Sequence, residues 1–85
     1  MSRKEKLIAK LLSHPKDFTF DDAEALLRYC SYYRNNKGKT SGSRVMFVSD
    51  RHQAKILLHK PHPSKELRRY QIRQLIDFLE QEGLI

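Results

Sequence analysis

The 85-residue chain predicts an α/β fold of the two-layer α+β kind, a three-stranded antiparallel sheet packed against helices. Three observations predict it. Apolar residues recur at helical spacing in two early stretches and one late one. The middle carries short strand-prone runs, and clusters of turn residues separate them. The resulting order of helix, helix, three strands and helix closes most simply as a sheet covered on one side.

In "KEKLIAKLLS", Leu7, Ile8, Leu11 and Leu12 share one face and lysines the other, which predicts an amphipathic helix over residues 3–13. His14-Pro15 ends it, because the residue before proline is pushed out of helical geometry. Thr19 is the N-cap of a second helix, with Asp21 and Asp22 in the first turn, where acids suit the helix dipole. Ala23, Leu26, Leu27 and Cys30 form its buried face.

The tyrosines of "SYYRNNKGKTSGSR" predict a short strand followed by a long exposed loop. A hairpin is expected from Arg44 to His59, with a tight turn near Asp50 and Arg51. In its second arm Ala54, Ile56 and Leu58 alternate with Lys55, Leu57 and His59, giving an apolar and a mixed face. The mixed face is open to a ligand. Val45 to Val48 is apolar throughout and does not tell which side meets the core. Ser64 is the expected N-cap of a last helix from Lys65 to Glu82, with Ile72, Leu75, Ile76 and Leu79 as its core stripe and Gly83 as its stop. Arg69 and Arg73 lie on its exposed face.

Charge narrows the function. Seventeen basic against ten acidic side chains give a net charge of +7. Residues 31–64 hold seven of the basic groups and one acid, so nearly all the excess sits in the middle. Arg34, Lys37, Lys39, Arg44, Arg51, Lys55 and Lys60, with Tyr32 and Tyr33 beside them, have the composition of a nucleic-acid surface: cations for phosphates and rings for stacking. Ser41 and Ser43 add loop hydroxyls able to contact phosphate. Lone Cys30 excludes an internal disulfide, and no apolar run suits a signal peptide or a membrane span, so a soluble cytoplasmic protein is expected. The His59 and His62 spacing makes no metal site, since Pro61 and Pro63 break the helix and no carboxylates cluster nearby, and no cofactor is expected. Ser43 lacks the Gly-x-Ser-x-Gly context of a hydrolase nucleophile.

Several short motifs, taken in order, resemble the HicA (YcfA-like) toxins of bacterial toxin–antitoxin pairs. These are Gly42-Ser43 before a strand ending in Phe47, an apolar strand leading to Pro61-His62-Pro63, Lys65-Glu66-Leu67, and a last helix closing through Gln81 to Gly83-Leu84. The likeness runs from about Phe20 onward, making residues 1–85 one such domain with residues 1–14 as an extra N-terminal helix. It implies an α-β-β-β-α domain like a double-stranded-RNA-binding fold, an mRNA endoribonuclease, and a HicB-like antitoxin as partner. Family members usually follow Gly-Ser with a histidine taken to be catalytic; here Arg44 holds that place.

That exchange changes the chemistry. Cleaving RNA without metal needs a base for the 2′-hydroxyl, an acid for the leaving oxygen and positive charge for the phosphorane. Arginine keeps its proton at any working pH, so Arg44 can serve the phosphate only. The proton-handling candidates become His59 and His62, with Lys37, Lys39, Ser41, Ser43, Arg44, Arg51, Lys55, Lys60, Arg69 and Arg73 as the nucleic-acid contacts. Two other readings keep the same surface: a binding module without catalysis, and a domain that docks an acidic antitoxin.

Overall fold

The computed structural model describes residues 2–35, 44–61 and 65–85. Among these residues three helices, α1 (Arg3–Leu12), α2 (Phe20–Tyr29) and α3 (Arg69–Gln81), enclose one side of a sheet made of β1 (Tyr33–Arg34), β2 (Arg44–Val48) and β3 (Ile56–His59). The sheet order is β1-β2-β3, antiparallel throughout. The expected α+β class is therefore observed.

The Ser2 hydroxyl starts α1 by accepting from the Glu5 amide, and Leu7 and Leu11 are buried. Leu12, expected on the same face, is exposed. Thr19 and Asp22 form a reciprocal capping box on α2: each side chain accepts from the other's backbone amide, at 3.1 and 3.2 Å. The helix ends where Cys30 turns inward and Ser31 takes a left-handed φ of 71°. The Tyr32 amide folds back onto the Leu27 carbonyl, and the chain enters β1.

Two boundaries differ from the sequence expectation. The hairpin has no tight turn at Asp50 and Arg51; β2 stops at Val48 and β3 resumes at Ile56, so residues 49–55 form a loop that excludes Ala54 and Lys55 from the strand. The loop docks instead of turning, with His52 stacked on the Tyr32 ring at 5.7 Å and the Tyr33 hydroxyl donating to Asp50 at 2.9 Å. The last helix starts at Arg69 rather than Lys65, with Arg68 at the N-cap position. Residues 65–67 spend their backbone groups on the segment before α2: the Phe20 amide donates to the Lys65 carbonyl and the Leu67 amide to that of Phe18, around a Thr19–Glu66 bridge. An extended chain that satisfies those groups cannot also be helical. Ser64 lies outside the described residues.

The core joins Leu7 and Leu11 of α1, Phe18 and Phe20, Leu26 and Leu27 of α2, Phe47, Ile56 and Leu58 of the sheet, and the full expected stripe of α3. Gly83, with φ of 70°, closes α3 as the sequence predicted. Cys30 lies in this core, and burial pushes its thiol up against a smaller opposing pull from Lys4.

Candidate nucleic-acid interface

Strand alternation sorts the hairpin into two faces. Phe47, Ile56 and Leu58 are buried against the helices, so Arg44, Met46, Leu57 and His59 project from the opposite face. The register sets Arg44 directly opposite His59, and Met46 opposite Leu57. The His59 amide donates to the Gln71 side chain of α3, away from β2, at 2.7 Å. Arg44 and His59 therefore form a pair of the non-hydrogen-bonded kind, in which Cα atoms are about 4.5 Å apart and side chains lie closest. A permanent cation and an imidazole thus share one spot at the end of the sheet. Arg44 is exposed and His59 half-buried. Among the described residues Arg44 has no hydrogen-bond or ion-pair partner.

Gln71 was not singled out in the sequence, yet it is 1% exposed and is the buried polar residue of the described core. Its carboxamide holds the His59 backbone, and one turn on Gln74 donates to the Leu57 carbonyl at 3.1 Å. The two amides satisfy outward groups of an edge strand that would otherwise be open to pairing with another chain. The available signal was placement: Gln71 stands four residues before Leu75, on the inward side of an apolar stripe. A polar group there needs a partner.

The other predicted contacts divide. Lys60 follows His59 directly and flanks a small cavity with Asp21, Pro61 and Lys65. Lys55 and Arg73 meet in a groove between β3 and α3 that Leu57, Tyr70 and Gln74 also line. Arg51 stands at the far end of the sheet, in a depression with Arg28, Tyr33 and Asp50. Arg69 turns toward His14 and Lys16. Lys37, Lys39, Ser41, Ser43 and His62 lie outside the described residues.

Two residues of the basic middle serve structure. Arg34 grips Glu24 through two bonds of 2.7 and 2.9 Å, and its guanidinium sits 5.4 Å from the centre of the Phe20 ring. Tyr32 is 1% exposed between His52 and Phe78, so its faces are not offered to a base. Its phenol is pushed up by burial and, less strongly, by Glu82 and Cys30. Tyr33 remains exposed, and its hydrogen bond to Asp50 raises its phenol.

Among the described residues no three His, Cys, Asp or Glu side chains gather as metal ligands, and no helix is long and apolar enough to cross a membrane. No curated protein and no solved structure matches the chain. A family model described as the HicA toxin of bacterial toxin–antitoxin systems matches residues 20–84, so the chain belongs to the HicA toxin family.

Proposed function

We propose that this HicA-family toxin is a metal-independent endoribonuclease acting on mRNA, with the Arg44–His59 pair as its working centre. The observation that carries the reading is the cross-strand register of these two residues on the open face of the sheet. A phosphodiester laid over the pair would meet the guanidinium at its non-bridging oxygens, where charge develops as phosphorus becomes five-coordinate. The His59 imidazole would take the proton of the neighbouring 2′-hydroxyl. The new P–O2′ bond then replaces the P–O5′ bond, leaving a 2′,3′-cyclic phosphate and a 5′-hydroxyl. His62, three residues on, is the nearest other imidazole in the sequence and would protonate the leaving oxygen.

Lys60 and the Lys55–Arg73 groove would extend contact along the strand, and Lys37, Lys39, Ser41 and Ser43 would add phosphate ligands from the preceding segment. Arg51 and Arg69 would contribute to the broader positive field that draws RNA in. A HicB-like antitoxin would silence the protein by laying acidic groups over Arg44 and His59.

Purified protein incubated with a defined RNA in excess chelator should produce fragments ending in 2′,3′-cyclic phosphate. RNA left intact at every protein concentration would end the enzymatic reading, and salt-dependent binding without product would leave a docking surface in its place.

A further inference from the structure

Beside the Arg44–His59 pair, a groove runs between the edge of β3 and the exposed flank of α3. It is lined by Lys55, Leu57, Tyr70, Arg73, Gln74 and Asp77 among others. Tyr70 is 57% exposed, more than any other large hydrophobic side chain among the described residues. A ring left in water at a rim that also carries Lys55 and Arg73 does nothing for the core. Its position is set by its neighbours. Gln71, next in the chain, grips the His59 amide, while Gln74, one turn on, grips the Leu57 carbonyl. Tyr70 is thereby held alongside the β3 stretch that carries His59.

We propose that this groove is a nucleobase subsite, in which Tyr70 stacks on a base one or two nucleotides from the phosphate held by Arg44, and Lys55 and Arg73 contact the flanking phosphates. The inference rests on the RNA reading above and gives it a direction along the strand. Aromatic faces accept any base, and cations on either side hold the backbone, the combination that single-strand binders use. Asp77, one turn beyond Arg73 on α3, would repel a phosphate but can accept from a base amino group, so the base lies toward the α3 side. The edge of β3 is blunted against pairing with another strand, because Gln71 takes the His59 amide and Gln74 the Leu57 carbonyl. A side-chain ligand is what the groove can take.

The test uses short single-stranded RNA bearing 2′-O-methyl groups throughout, which binds without being cut, read by fluorescence anisotropy. Tyr70→Ala should weaken binding about tenfold to a hundredfold. Tyr70→Phe, which retains the ring, should recover the affinity. Removing the base from one nucleotide should reproduce the loss in the parent protein and add nothing in Tyr70→Ala. If Tyr70→Ala binds like the parent while Arg44→Ala binds worse, the subsite is wrong and the Arg44–His59 reading stands. If the parent protein binds none of these RNAs, the RNA reading itself falls. If Tyr70→Ala keeps its RNA affinity but loses an acidic antitoxin, the groove is a protein dock and the subsite is overturned.

Discussion

Arg34 in β1 and Arg44 in β2 are both arginines of the basic middle segment, but their surroundings differ. Arg34 is enclosed by a bidentate carboxylate and an aromatic face, with Glu24 itself only 13% exposed. Arg44 faces solvent across from an imidazole and has no partner among the described residues. Counted as charge they are identical. What separates them is whether the fold has already spent the cation, and only the unspent one can bind a ligand.

The largest expected effect on stability comes from the spent cation. Arg34→Ala strips the partly buried Glu24 of its two short bonds and leaves it only the 3.4 Å contact from exposed Arg28, which should cost about 2 kcal/mol, or roughly 10 °C in melting temperature for a domain of this size. Arg44→Ala should change stability by less than about 0.5 kcal/mol. Thermal unfolding of the two variants side by side checks this, and equal losses would erase the distinction.

Binding should invert the order. Arg44→Ala is expected to weaken association with single-stranded RNA about tenfold and to reduce the slope of log affinity against log salt by about 0.7, the signature of one lost phosphate contact. Arg34→Lys, which keeps the positive charge beside Glu24 but not the two-pronged geometry, should leave that slope unchanged. An identical slope for Arg44→Ala and the parent would move the phosphate contact elsewhere.

The smallest effect sharpens the contrast within the tyrosines. The Tyr32 hydroxyl is buried and has no hydrogen-bond partner among the described residues, so Tyr32→Phe should be neutral or stabilising by up to about 1 kcal/mol in urea unfolding. A clear loss of stability would mean that the hydroxyl is satisfied after all.

Much of this fold could be read from local pattern. The Thr19–Asp22 cap, the α3 stripe and the Ile56/Leu58 alternation each need only neighbours in sequence, and all three are observed. The start of α3 could not be read that way. Lys65 to Arg68 are acceptable in a helix, and only the backbone groups of residues 18–20, far away in the chain, draw them into extended pairing. The same holds for Arg34 and Tyr32, which look like ligand-binding residues until Glu24, Phe20 and His52 are folded against them. The opposition of Arg44 and His59 was open for a related reason: it depends on a seven-residue loop where the pattern suggested a tight turn. Gln71 was legible only as an oddity on an apolar face.

The account's central claim is that Arg44 and His59 act on one phosphate. A double-mutant cycle on single-turnover RNA cleavage tests it most directly. His59→Ala should slow cleavage about a hundredfold to ten-thousandfold, and adding Arg44→Ala should then cost far less than Arg44→Ala costs the parent protein. Losses that simply multiply, or cleavage near the parent rate without the His59 imidazole, would contradict it.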